Sequence, residues 1–244
     1  MQRAATLYRS TVGKKVLMAL SGIVLFLFVL VHMAGNLKML QGCHAAGPEE
    51  AATGLSVPGQ VCGMDTYAEF LREVGYPVVP HGAVLWVTRL ILLGAVGMHL
   101  LAAFQLWSRS RAARGKAYEK EDSLSFSYAS RTMRWGGVII LLFIVYHILH
   151  FTTGQAHADF RPGGVYHNYV VAFQNPLVLG AYVLAQLALV FHLYHGVWSV
   201  FQTLGANHPR WNRFRRPFAA GYALVVFVGF LIPPVLVFAG AITL

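Results

Sequence analysis

The chain has 244 residues, of which 57% are hydrophobic and only 11% are charged. An average soluble domain carries about a quarter charged residues, so this composition excludes an ordinary soluble globular fold. The formal net charge of +10 would by itself suit a nucleic-acid-binding protein. The positive charge lies mostly in alternate connections between apolar segments, which argues against nucleic-acid binding.

The apolar residues are gathered into runs long enough to cross a bilayer, which takes roughly 20 residues. Five such runs predict transmembrane helices over residues 15–38, 82–108, 134–155, 176–205 and 218–242. Pro233 and Pro234 lie in the fifth run and predict a kink, which a membrane helix tolerates. We therefore expect an all-α integral membrane protein, a single domain over residues 1–244, whose first four helices form a bundle.

The basic residues lie in alternate connections between these helices. Fifteen of the 19 lysines and arginines precede the first helix, separate the second from the third, or separate the fourth from the fifth. By the positive-inside rule, this pattern predicts a cytoplasmic N-terminus and an external C-terminus in the cell's inner membrane. The first apolar run is too long for a cleaved signal peptide, and no small-residue cleavage site follows it.

The long outer loop, residues 42–80, contains both cysteines, Cys43 and Cys62. A disulfide would persist there if the outside is oxidising, but two unrelated thiols are an equal alternative. Thr66 and Glu69 have the spacing of a capping box. Apolar residues at helical spacing follow this start and predict a short amphipathic helix on the outer surface. They are Tyr67, Phe70, Leu71 and Val74.

Histidine carries the functional signal. Six of the 11 histidines fall inside apolar spans, where an ionisable side chain is costly and usually functional. They are His32, His99, His147, His150, His192 and His195. A single one would more often be a helix-packing residue, but each of the first four spans carries at least one.

Depth in the membrane sorts four of these histidines into two pairs. At about 1.5 Å of rise per residue, His32 and His147 lie about 10 Å from the outer ends of their helices. By the same measure, His99 and His192 lie about 25 Å from the outer ends. Helices one and three thus supply an outer pair, and helices two and four supply an inner pair.

Two histidines facing each other in a four-helix bundle suit the two axial positions of a haem iron. Zinc would need three or four clustered ligands, and covalent haem attachment would need a C-x-x-C-H motif that the sequence lacks. The pattern therefore predicts two haem b groups, one above the other. His150 and His195 lie one turn from His147 and His192 and are competing ligands. His150 would lie only about 6 Å from the outer edge, shallower than His32, and His195 would miss the level of His99 by about 5 Å. Either could instead bond a haem propionate or a quinone.

Four segments resemble the dihaem cytochrome b membrane anchor of succinate dehydrogenase and fumarate reductase. They are VHMAGN at residues 31–36, MH at 98–99, YHILHF at 146–151 and FHLYHGVWSVFQTLGANHP at 191–209. The resemblance covers nearly the whole chain and is closest to anchors with a single five-helix subunit. It implies His32, His99, His147 and His192 as axial ligands. Arg134 and Gly137 also match the pattern at the start of the third helix.

The resemblance implies a subunit that binds a flavoprotein and an iron-sulfur protein at the inner face and exchanges their electrons with quinone, expected to be menaquinone. The chain has no G-x-G-x-x-G motif after a strand and no cysteine cluster. Flavin and iron-sulfur chemistry, and with them the dehydrogenase active site, must therefore lie on partner subunits. The inner basic loops suit docking of such partners.

A quinone site needs an apolar slot at the membrane edge with one or two polar groups. The candidates on the inner side are Ser10, Lys14 and Arg131, and those on the outer side are Glu69, Glu73, His44 and His81. Arg131 and Arg134 could instead pair with propionates of the inner haem, a role that Arg134 suits. Two other functions stay open: the cytochrome b anchor of a hydrogenase or formate dehydrogenase, and a membrane transporter or structural protein.

Overall fold

The computed structural model describes residues 10–47, 57–113, 128–206 and 208–244, with side chains for all of these except 128–132. The α-helices in these ranges are α1 (Thr11–Asn36), α2 (Gly63–Glu73), α3 (Ala83–Ala112), α4 (Tyr128–His147), α5 (Val165–Phe173), α6 (Pro176–Thr203) and α7 (Pro209–Phe238). A 3-10 helix, Leu37–Gln41, continues α1, and a π-helix, Ile148–Thr152, continues α4. Two short strands, β1 (Cys43–Ala45) and β2 (Gln60–Cys62), pair antiparallel.

Five helices, α1, α3, α4, α6 and α7, are long and apolar enough to cross a membrane. A helix is one of the few structures that can do so, because it satisfies its backbone hydrogen bonds internally. Polar side-chain caps mark where three of them, α1, α6 and α7, begin. The Ser10 hydroxyl accepts from the Gly13 amide at 2.9 Å, and the Asn175 side chain accepts from the Leu177 amide at 2.9 Å. The prediction of an all-α fold with five membrane-length helices is confirmed.

The helix bounds differ from the predicted spans where a helix extends into polar sequence. α7 begins at Pro209 rather than at 218, because His208 caps it and proline suits the first helical position. α4 is already helical at Tyr128, before the predicted start at 134. Pro233 and Pro234 lie inside α7 without ending it. Hydropathy detects only the apolar part of a helix, so it misses the first polar turns.

The helices alternate in direction and define two ends. At one end, called the basic end, the Arg109 guanidinium of α3 donates to the Thr11 hydroxyl of α1 at 3.4 Å. The other end, called the disulfide end, carries the strands, α2 and α5. α1 packs against α3, α6 and α7, and α6 also packs against α4 and α7.

The disulfide end is a small folded cap. Cys43 and Cys62 lie opposite each other in the strands and are joined by a disulfide, the pairing that the sequence left open. The Asp65 carboxylate of α2 accepts from the Tyr166 amide of α5 at 2.8 Å. The Tyr166 hydroxyl donates to the Thr243 carbonyl at 2.9 Å, and burial raises the pKa of this tyrosine, so the hydroxyl keeps its proton. These contacts tie α2, α5 and the C-terminal segment together.

The predicted capping box is wrong, although the short helix is present. α2 begins at Gly63, directly after β2, so Thr66 lies within the helix instead of capping it. The Thr66 hydroxyl donates to the Cys62 carbonyl at 3.2 Å. Glu69 turns outward to Arg72 and His81, at 3.1 and 3.2 Å. The strand pairing sets where α2 starts, and it places the start one turn earlier than the local motif indicated.

Candidate functional site

The first pair of intramembrane histidines joins α1 to α4. The ring centres of His32 and His147 are 5.8 Å apart, and their planes are nearly perpendicular, at 84°. Phe28 stacks on the His32 ring at 5.2 Å, and Phe230 of α7 lies 5.7 Å from it. The two imidazoles therefore face each other among aromatic side chains.

The second pair joins α3 to α6. The ring centres of His99 and His192 are 6.1 Å apart, with 61° between their planes. The other two helices of the bundle present glycines here. A Cβ atom on Gly22 of α1 would lie 3.4 Å from His99 Cε1, and one on Gly137 of α4 would lie 4.0 Å from His192 Cε1. The absence of two side chains leaves space beside both rings.

The two pairs lie at different depths, and two helices measure the separation independently. On α6, Tyr182 contacts His147, and His192 follows it ten residues later. On α1, Ser21 contacts His99, and His32 follows it eleven residues later. At about 1.5 Å of rise per residue, both helices place the pairs about 15 Å apart along the bundle. The structure thus brings together the histidines that the sequence assigned to each level.

The hydrogen bonds of His99 determine which of its ring nitrogens can bind a metal. His99 Nδ1 lies 3.1 Å from the Met18 carbonyl oxygen and 3.3 Å from the Ser21 hydroxyl oxygen. A carbonyl can only accept, so the bond to Met18 requires a proton on Nδ1. Nε2 of a neutral His99 then carries a lone pair. A backbone partner that fixes the tautomer in this way is the usual arrangement behind a metal-binding histidine.

His150 does not replace His147 in the first pair. It is only 2% exposed and its ring stacks on Tyr146 and His157, with ring centres 5.1 and 5.0 Å apart. His150 Nδ1 lies 3.0 Å from the Tyr182 hydroxyl. The side chain is therefore held within a cluster of aromatic residues toward the disulfide end.

His195, the competitor of His192, is half-buried and its ring lies against Trp198, with ring centres 5.7 Å apart. His192 instead faces His99, and its Nδ1 atom is buried with no hydrogen-bond partner in the described part of the chain. A buried polar atom without a partner is costly and calls for an explanation, such as a bound ligand or water.

Both pairs have the dimensions of an axial haem site. Two metal-nitrogen bonds of about 2 Å, plus about 1.1 Å from each nitrogen to its ring centre, put axial imidazole centres about 6 Å apart. The observed values are 5.8 and 6.1 Å. α1 packs closely against α3, and α4 packs closely against α6. The histidine pairs instead connect helices across the bundle, α1 to α4 and α3 to α6. The ring-centre spacing of each pair is therefore compatible with a bis-histidine haem.

The remaining candidates from the sequence lie toward the two ends of the bundle. At the basic end, Ser10 caps α1, Arg134 is exposed, and the buried Lys14 ammonium donates to the Gln105 side chain. A cavity of about 270 Å³ beside Lys14 is lined also by Phe104, Gln105, Ser108 and Arg109. The Arg131 side chain lies outside the described residues.

At the disulfide end, Glu69, Glu73, His44 and His81 are all exposed. Glu69 and His81 are paired through their side chains, at 3.2 Å. His44 belongs to β1, whereas Glu69 and Glu73 belong to α2. The structure therefore places the four acidic and histidine candidates on the cap, with two of them in direct contact.

Sequence reasoning missed Tyr182, Ser21 and the Met18 carbonyl. Each contacts a paired histidine from a neighbouring helix. Tyr182 could have been found as the one polar aromatic residue of α6 at the predicted outer level. The Met18 carbonyl has no signal in the sequence, because any residue at that position would provide one.

Comparisons with protein-family models, with curated proteins and with solved structures found no match for this chain.

Proposed function

We propose that this chain is the membrane-anchor cytochrome b of a succinate:quinone oxidoreductase. The observation that carries the proposal is the presence of two facing histidine pairs at two depths, each with the spacing of an axial haem site. A bound haem supplies a one-electron redox centre whose potential depends on its ligands and their hydrogen bonds. The four histidine-bearing segments, above all residues 191–209, favour a succinate dehydrogenase or fumarate reductase anchor over other cytochromes b.

In this proposal the chain's own residues hold and orient the cofactors. His32 and His147 hold one haem b near the disulfide end, and His99 and His192 hold the other near the basic end. Gly22 and Gly137 leave room beside the second site. The apolar residues around both sites exclude water, and this helps to set the redox potential of each haem.

The proposed partners are a flavoprotein and an iron-sulfur protein docked at the basic end, which faces the cytoplasm by the positive-inside rule. Exposed arginines in the described part of this end offer a positively charged surface: Arg109, Arg111, Arg134, Arg210, Arg213 and Arg216. The quinone, proposed as menaquinone, would bind in an apolar slot at the membrane edge near the disulfide end, where the first histidine pair lies. Arg134, with Arg131, is proposed to pair with haem propionates at the basic end.

A spectrum of the purified complex tests the cytochrome assignment. The reduced-minus-oxidised difference should show b-type haem, and pyridine haemochrome analysis should give two haems per chain. Zero or one haem per chain would contradict the two-site arrangement. Adding succinate to the intact complex should then reduce haem, and the flavoprotein and iron-sulfur subunits should co-purify with this chain.

The alternative functions give different results in the same experiment. Co-purification of a hydrogenase or formate dehydrogenase, without haem reduction by succinate, would assign the chain to another respiratory enzyme. A complex without haem would favour a transporter or a structural membrane protein.

The position of the quinone site has its own test. Single substitutions of Glu69, Glu73, His44 and His81 should identify one residue needed for succinate-quinone activity but not for succinate oxidation by a soluble electron acceptor. If quinone turnover survives all four changes and is lost on altering Ser10, Lys14 or Arg131, the site lies at the basic end.

A further inference from the structure

One buried hydroxyl lies between two histidines at the end of α4. The Tyr182 oxygen, projecting from α6, is 3.3 Å from His147 Nδ1 and 3.0 Å from His150 Nδ1. Tyr182 is only 8% exposed. Its hydroxyl therefore depends on these two ring nitrogens for its hydrogen bonds, since water has little access to it.

The shape of the cage around Tyr182 does not require a hydroxyl. Phe143, Phe151 and Phe173 surround the ring, with ring centres 4.9, 5.9 and 4.9 Å away. A phenylalanine would suit these neighbours equally well, and a buried hydroxyl without a hydrogen-bond partner is costly. The oxygen thus has a polar role toward the histidines.

The backbone of α4 changes geometry where the two histidines lie. Directly after His147 the helix becomes a π-helix, in which the Thr153 amide donates to the Ile148 carbonyl at 3.0 Å. This wider turn changes the direction in which His150 projects, and both side chains reach the same hydroxyl. Single π turns inside helices are frequent at functional sites.

The direction of these hydrogen bonds follows from the proposed function, on which this inference rests. If His147 Nε2 binds iron, the proton of the neutral ring is on Nδ1, so Nδ1 donates to the Tyr182 oxygen. The single phenol proton is then free to be donated to His150 Nδ1. His150 Nε2 carries the proton of that ring. This placement of the protons satisfies the hydrogen bonds of His147 Nδ1, the Tyr182 hydroxyl and His150 Nδ1 together.

We propose that Tyr182 is the positioning residue of the first histidine pair: its hydroxyl fixes the tautomer and orientation of His147 and, by accepting the hydrogen bond from Nδ1, makes the imidazole a stronger donor to iron. His150 strengthens the effect, because a phenol that donates a hydrogen bond is a better acceptor. A more basic axial ligand favours the oxidised iron and lowers its reduction potential. In the second pair, the Met18 carbonyl has the corresponding place behind His99.

The test is Tyr182→Phe in the intact, purified complex, with Tyr146→Phe as the matched control because the Tyr146 ring stacks on His150 in the same cluster. The readouts are haem content, the potentiometric titration of both haems, and the low-spin EPR signals. We expect two haems per chain in both variants. In Tyr182→Phe, the potential of the haem that His147→Ala removes should rise and its EPR signal should shift, with the other haem unchanged. The control should change neither haem.

A second variant keeps the proposal testable if Tyr182→Phe does not accumulate. His150→Phe keeps a ring in the cluster but removes the acceptor of the phenol proton, so the same potential should rise by a smaller amount. Unchanged potentials and EPR signals in either variant, with two haems present, overturn the role of Tyr182 and leave the cytochrome assignment intact. A wild-type complex without haem overturns both.

Discussion

Alanine replacement of the paired histidines should remove haem one site at a time. His32→Ala or His147→Ala should empty the site near the disulfide end, and His99→Ala or His192→Ala should empty the site near the basic end. Each ring contacts its partner from a different helix. Truncation of either partner therefore leaves one histidine where an axial pair is needed.

The expected size of the effect follows from the separation of the two pairs. They lie about 15 Å apart along α1 and along α6, so loss of one site leaves the ligands of the other in place. Haem content should fall from two per chain to one, which halves the b-type absorbance. Because both partners serve one site, the double variant of His32 and His147 should lose no more haem than either single variant.

Pyridine haemochrome analysis of the purified variants measures this directly, and redox titration shows which potential has disappeared. His150→Ala and His195→Ala are matched controls, since each residue lies on the same helix as a proposed ligand and three residues from it. Both control variants should retain two haems per chain.

Two results would refute the reasoning. If His150→Ala loses a haem while His147→Ala does not, the ligand on α4 has been misassigned. If His32→Ala and His99→Ala remove the same haem, the division into two levels is wrong.

Two further predictions concern the space beside a site and the stability of the cap. Gly22→Val should remove or weaken only the haem of the second pair, because a Cβ there would already lie 3.4 Å from His99 Cε1 and the valine methyls extend about 1.5 Å farther. Haem content and the two haem potentials measure this effect. The control Gly94→Val, whose added Cβ meets open space, should leave both haems in place. Cys43→Ser should destabilise the disulfide end by up to about 3 kcal/mol, the value typical of a cross-linked loop of this length. The loss of stability is measured as a shift in detergent-induced unfolding. A reductant should cause the same shift in the wild type but no further shift in the variant.

The amino-acid sequence by itself determined the membrane architecture and the depth of the histidines. Apolar runs of bilayer length leave few structures other than helices, because lipid offers no hydrogen bonds to an open backbone. The rise of a helix is constant, so the distance of His32 or His99 from the end of its span gives its depth directly. For this reason the assignment of histidines to two levels required no tertiary information.

Only the tertiary structure decided which atoms meet. His147 and His150 are close in sequence and in depth, and the packing of α4, together with its π turn, directs one toward His32 and the other into the aromatic cluster. The partners behind the ligands, the Tyr182 hydroxyl and the Met18 carbonyl, come from other helices. Their positions depend on how each helix is rotated about its axis, and that rotation is set by side-chain packing across the bundle rather than by any pattern within one helix.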